Sequence, residues 1–176
     1  IEYITSRFNK EMLINNNLLS FKRNTNQDAS SCEKIKVFIN FKPDKDIAYG
    51  GGNISTYNII NYLTERFSDF IVTYELEKDI DIYLVIDALI DRKFKKYSLD
   101  DIVTHKNSIN KTGKIIVRVN DCDKTRVITN NAISREQAII KNYSSIDCFI
   151  YNSNFIKSHY LKIFNNLQFH TKYNKV

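Results

Sequence analysis

The sequence predicts an α/β fold, a parallel sheet with helices on both of its faces. From residue 35 onward, short runs rich in β-branched and aromatic residues alternate with stretches of helical spacing. The short runs are continuously apolar rather than apolar at every second position, as expected of strands buried on both faces. The only proline and all four glycines fall between these runs or at their edges. Regular alternation of strand and helix implies parallel strands joined by right-handed crossovers.

The elements follow in order. IKVFINF (35–41) is the first strand. A loop holding Pro43 leads to Gly50, Gly51 and Gly52, and STYNIINYLTERF (55–67) then puts Tyr57, Ile60, Leu63 and Thr64 or Phe67 on one helical face. FIVTYEL (70–76) is the second strand, and DIYLVIDALI (81–90) contains the third. SLDDIVTHKNSIN (98–110) starts a helix with Ser98 as N-cap and Asp100 and Asp101 in its first turn, where acidic residues are favoured. Gly113 ends it in a turn, and KIIVRV (114–119) is the fourth strand. SREQAIIKNYS (134–144) opens with a capping box, Ser134 to Gln137. DCFIYNS (147–153) is the fifth strand, and a helix over roughly 154–165 follows, with Ser153 or Asn154 as cap and Phe155, His159 or Tyr160, and Ile163 facing the core.

Ahead of this set, residues 1–33 read as an amphipathic appendage or linker, with helical spacing through Ile4, Phe8 and Met12 and a loop at NTNQDASSC. The chain opens IEYITSRFNK, without an initiator Met or a signal-peptide pattern, which fits a piece cut from a longer polypeptide or a trimmed tag. At 176 residues, one domain of 34–165 with small extensions is expected, and 43% hydrophobic residues suffice for its core. No apolar run approaches the ~20 residues that cross a bilayer. Cys32, Cys122 and Cys148 are odd in number and widely spaced, which fits a reducing compartment and neither a disulfide framework nor a zinc site. The expected location is the cytoplasm, with a peripheral position at a membrane surface as an option.

The net charge is +6, and no acidic residue follows Asp147 while Lys157, Lys162, Lys172 and Lys175 do. Such an end suits nucleic acid, a phosphate-bearing ligand or an anionic membrane, or is simply a solvated helix face. A nucleic-acid module is the weaker choice, because no basic patch interleaved with aromatics is present. RKFKK (92–96) could meet a phosphate, but an exposed charge run is usually just solvated.

Two segments carry candidate chemistry. Gly50, Gly51 and Gly52 follow the first strand, where ligands gather in open parallel sheets. Glycine lets the backbone approach a ligand, and successive N–H groups beside a helix N-terminus can point at one anion. Asn53 or Ser55 would cap that helix. The pattern is neither GxGxxG nor a Walker loop, and a flexible turn is the plainer alternative. VRVNDCDKTR (117–126) brings Arg118, Asn120, Asp121 and Asp123 to the end of the fourth strand. Asp121-Cys-Asp123 could hold Mg²⁺ or Mn²⁺ with a diphosphate, although a polar loop of Asx-turns explains it equally well. His105, His159 and His170 have no evident catalytic partner, and His159 reads as a surface or interface residue.

Taken in order, YGGGN (49–53), RVNDCD (118–123) and DCFIYNSNFIKSHYLKIF (147–164) resemble the N-terminal half of a GT-B-type glycosyltransferase, family 4 of the retaining enzymes. The resemblance covers roughly 34–165. It implies one Rossmann-like half of a two-domain enzyme that moves a hexosyl-type sugar from a nucleotide-diphosphate sugar to an acceptor, with retention and without a metal or other cofactor. It implies that 166–176 begins the linker to a C-terminal domain holding most of the sugar nucleotide, so that this piece alone is inactive. Gly50, Gly51, Gly52 and Asn53 would meet the donor phosphate or sugar. Arg118, Asn120, Asp123 and Ser153 would shape the acceptor cleft, with Asp121 as the catalytic candidate touching a hydroxyl. Many members carry a histidine directly before the arginine, where this chain has Val117. That departure keeps open a catalytically inactive Rossmann-like binding or scaffold domain.

Overall fold

A computed structural model of the chain describes residues 34–44, 50–66, 69–90, 96–122 and 134–166. Its strands are β1 (Ile35–Ile39), β2 (Phe70–Thr73), β3 (Ile82–Val85), β4 (Lys114–Val119) and β5 (Cys148–Tyr151). They form one sheet in the order β2-β1-β3-β4-β5, and every pair is parallel. The helices are α1 (Gly50–Arg66), α2 (Leu99–Ser108), α3 (Arg135–Lys141) and α4 (Asn154–Asn166), with a 3₁₀ turn at Tyr143–Ser145. The α/β class with an all-parallel sheet is thus as the sequence predicts.

Side chains alternate across a strand, so each strand feeds two cores. Val37 and Ile39 of β1, Ile82 and Leu84 of β3, and Ile116 of β4 pack with Ile59 and Leu63 of α1. Phe38, Tyr83, Val85, Ile115, Val117 and Val119 point the other way and pack under α2, α3 and α4. Among the described residues, helices therefore cover both faces, one on the first and three on the second. Under α4, the rings of Tyr143 and Phe164 lie 4.3 Å apart and those of Phe149 and Phe164 5.3 Å apart, pairs worth about 0.5–1.5 kcal/mol each beyond their burial.

The predicted capping box of α3 forms, and the predicted Ser98 cap of α2 closes into a second one. The Ser98 hydroxyl accepts from the Asp101 amide while the Asp101 carboxylate accepts from the Ser98 amide, and Ser134 and Gln137 do the same on α3. Two helix faces differ from expectation by one position. α1 buries Asn53, Thr56, Ile59 and Leu63, with Tyr57 and Ile60 only partly covered. On α4 the buried set is Ile156, Tyr160 and Phe164, while Phe155 is 61% exposed. A stripe of aromatic and apolar residues around each helix made several faces equally apolar, and the sheet's position selects one of them.

The entering end of the sheet is tied by carboxylates. Asp81 accepts from the Lys36 amide at 2.8 Å, and its carbonyl accepts from the Lys114 amide at 2.9 Å. Asp147 accepts from the Ile115 amide at 2.9 Å, from Lys106 Nζ at 2.9 Å and from Lys114 Nζ at 3.3 Å. His105 is not solitary: its Nδ1 lies 2.9 Å from the Tyr83 hydroxyl. Nor is His159 a surface residue, since its Nε2 meets Glu136 of α3 at 2.7 Å with both side chains largely covered. The reading of residues 1–33 lies outside the described residues, as do 167–176.

Candidate functional site

The chain leaves β1 toward β2 through α1, and leaves β3 toward β4 on the opposite side. The neighbours β1 and β3 thus mark the point where winding reverses, and their carboxyl ends open the crevice where such sheets bind ligands. Asn40 closes the bottom of that crevice. It is 3% exposed, and its side-chain oxygen accepts from the Ile86 amide at 2.8 Å. Its Nδ2 donates to the carbonyls of Asp87 at 2.7 Å and Tyr97 at 3.2 Å. One amide side chain thereby fastens the end of β1 to the end of β3 and to the approach to α2. Beside it, Asp87 accepts Arg135 Nε at 2.8 Å on both oxygens, which brings the start of α3 to the same rim.

The three glycines do not form a separate loop. α1 begins at Gly50, so Gly50, Gly51 and Gly52 are its first turn. The expectation of Asn53 or Ser55 as cap is therefore corrected, because both lie inside the helix. Glycine's low helix propensity placed the start too late, but a first turn tolerates it. The amides of that turn have no acceptor within the helix, and they carry the partial positive charge of its end. Asn53 is buried and spends its side chain on the loop: Oδ1 accepts from the Asp44 amide at 3.1 Å, and Nδ2 donates to the Asp44 carbonyl at 2.8 Å. The hydroxyl oxygen of Ser55, one turn further, is buried without a partner.

At the end of β4, alternation puts Arg118 on the α1 face, opposite Ile150 of β5, which packs on the same cluster. Arg118 is 7% exposed, its Nη1 has no hydrogen-bond partner, and it forms no ion pair among the described residues. Burial pulls its pKa below the ordinary arginine value, yet a guanidinium stays charged at any working pH. Asn120 donates through Nδ2 to the Ile86 carbonyl at 3.4 Å, while its Oδ1 is buried without a partner. Asp121 is partly exposed, and its carbonyl accepts from the Tyr160 hydroxyl at 3.4 Å. Asp123 lies outside the described residues. Ser153 caps α4, accepting from the Ile156 amide at 3.3 Å. Val117 faces the other way, fully buried under α2–α4.

The rim therefore gathers Gly50–Gly52, Asn53, Arg118, Asn120, Asp121 and Ser153, although Asn53 and Ser153 are occupied with local structure. Asn40, Asp87 and Arg135 were not singled out from sequence. The one available signal was Asn40 itself, a polar residue set directly between Ile39 and Phe41 in the strand run. Among the described residues no three His, Cys, Asp or Glu side chains group to hold a metal ion, and no helix is long and apolar enough to cross a membrane. Comparison with protein-family models, curated proteins and solved structures gives no match.

Chemically, the rim offers the first-turn amides of α1, one buried guanidinium, an unpartnered amide oxygen and a carboxylate at Asp121. That set can hold an oxyanion and a hydroxyl. It has no nucleophile paired with a base within the described residues.

Proposed function

We propose that the chain is the acceptor-side half of a GT-B-type retaining glycosyltransferase of family 4, working in the cytoplasm on a nucleotide-diphosphate sugar. The observation that carries this reading is the meeting of two of its motifs at one rim. The glycine turn opens α1 and the RVND segment ends β4, both at the carboxyl ends of strands in a single parallel sheet. A departing diphosphate needs positive potential, which a helix N-terminus supplies without a metal. In this reading Gly50–Gly52 approach the donor phosphates, Asp121 touches an acceptor or sugar hydroxyl, and a second domain completes the cleft.

The test is donor-dependent release of nucleoside diphosphate by the full-length polypeptide, over a panel of sugar nucleotides. Gly51→Val, which sets a branched side chain on the first turn, and Asp121→Asn are each expected to lower turnover by about a hundredfold or more. Turnover that survives both changes removes the assignment.

One observation favours a second reading, a binding domain without catalysis. The position preceding Arg118 is core-facing and fully buried, so no side chain there reaches the rim to serve a transferred sugar. Sugar-nucleotide binding without turnover by the full-length polypeptide selects that alternative.

A further inference from the structure

Three buried polar side-chain atoms lack a partner among the described residues: Ser55 Oγ, Arg118 Nη1 and Asn120 Oδ1. All three belong to the carboxyl rim. Ser55 is in the second turn of α1, Arg118 is the penultimate residue of β4 on the face that α1 covers, and Asn120 follows that strand. Proteins rarely leave buried polar groups unpaired, and a buried charge without a counterion is the costliest case. Arginine cannot escape by losing its proton.

The glycine turn does not account for Arg118. α1 leaves from β1, and β4 stands two strands away, about 10 Å across the sheet at the usual spacing. A spacing of that size between strands leaves room on the rim for two groups, one at the α1 amides and one at the guanidinium. Arg118 and the Ser55 hydroxyl can both donate, whereas Asn120 Oδ1 can only accept. Arg118 and Asn120 are two residues apart, about 7 Å along an extended chain. One small molecule carrying both an anionic group and a hydroxyl can meet the two side chains.

We propose that Arg118 is the anion receptor of this rim, taking the phosphate or carboxylate of a hydroxyl-bearing small molecule distinct from the group on the α1 turn. Resting on the sugar-transfer reading, it assigns the acceptor to the class of anionic polyols, such as sugar phosphates or uronates. The planar guanidinium engages two oxygens of such a group, and Asn120 accepts from a neighbouring hydroxyl.

Thermal melting of the chain at constant ionic strength tests this, with inorganic phosphate, a hexose 6-phosphate, glucuronate or a nucleotide-diphosphate sugar as probe. Phosphate is expected to raise the midpoint saturably and chloride is not, with the hexose phosphate binding more tightly than phosphate. Arg118→Met should abolish the phosphate response while leaving the ligand-free midpoint equal or higher, because an unpaired buried charge is gone. A merely structural arginine would lower that midpoint. If Arg118→Met fails to fold, Arg118→Lys keeps the charge and loses the fork, and phosphate affinity should fall about tenfold or more. Phosphate shifts that match chloride, or that survive both substitutions, overturn the receptor. So does mutual exclusion of hexose phosphate and nucleotide sugar, which would give Arg118 to the donor. An Arg118-dependent phosphate response with no sugar-nucleotide binding or turnover keeps the receptor and discards sugar transfer. Turnover with an Arg118-independent response does the reverse.

Discussion

Replacing Asn40 by alanine probes whether the rim is held as the hydrogen bonds describe. The substitution strands the Ile86 amide and removes the donor to the Asp87 and Tyr97 carbonyls. The orphaned N–H is buried and costs about 1–3 kcal/mol, with about 1 kcal/mol more for the carbonyl partners. A total of about 2–4 kcal/mol corresponds to a melting midpoint lower by roughly 5–15 °C for a chain of this size. Urea unfolding followed by far-ultraviolet circular dichroism measures it, with the slope expected to stay near wild type because the surface exposed on unfolding barely changes. Asn40→Asp is the sharper variant. It keeps an acceptor for Ile86 but turns an oxygen toward two carbonyls, so it should cost at least as much as alanine near neutral pH. Its new carboxyl has a raised folded pKa, so the deficit shrinks as pH falls through that value and the group becomes a donor. A loss below about 1 kcal/mol for alanine, or an acid-independent loss for aspartate, refutes the clasp.

Gly113→Ala should destabilise by about 1–3 kcal/mol in the same unfolding assay, since overpacking a rigid site has that cost. An added Cβ would lie 2.6 Å from Tyr83 Cε2 and 2.7 Å from the Ile80 carbonyl. Pairing it with Tyr83→Leu should recover only part, because the Ile80 backbone remains. Stability should also fall below about pH 6.5 through His105, whose burial holds its folded pKa under the ordinary value of 6.5. As pH drops, the unfolded chain takes up the proton first, so the contribution is full above the unfolded pKa and lost toward the folded one. In His105→Phe, urea midpoints across pH 5–8 (roughly the span of histidine titration) should lose that portion of the acid slope.

Much of the fold was legible because its signals are local. The five apolar runs, the Ser98 cap and the Ser134–Gln137 box are readable one segment at a time, and all of them form. What stayed illegible depends on segments meeting. Whether α1 starts at Gly50 or five residues later is decided by the Asn53–Asp44 clasp and by how the helix seats on the sheet, not by propensity, which opposes three glycines. Which face of α4 is buried is set by the Tyr143–Phe149–Phe164 cluster, whose members come from three elements. Gly113 read as an ordinary turn, yet space under Tyr83 is what excludes a side chain there. Of the candidate site, the residue types were visible, but not that Asn53 and Ser153 are consumed by local bonds or that Arg118 Nη1 finds no partner among the described residues.

The two ends of the sheet treat their polar groups differently, and that contrast locates function better than any single motif. At the entering end, Asp81, Asp147, Asn110 and His105 each find partners, down to the Asn110 amide on the Ile80 carbonyl. At the leaving end, Asn40 and Asp87 are equally well served, so the local chain is capable of satisfying its polar groups. Among the described residues, the buried side-chain atoms without a partner belong to Ser55, Arg118 and Asn120. A loosely built rim would scatter its unmet bonds over many residues and would not keep a guanidinium nine-tenths buried. Filled networks around a few vacant ones instead describe a surface preorganised for something that arrives from solution. Under the receptor proposal, the positive charge of Arg118 makes what arrives an anion.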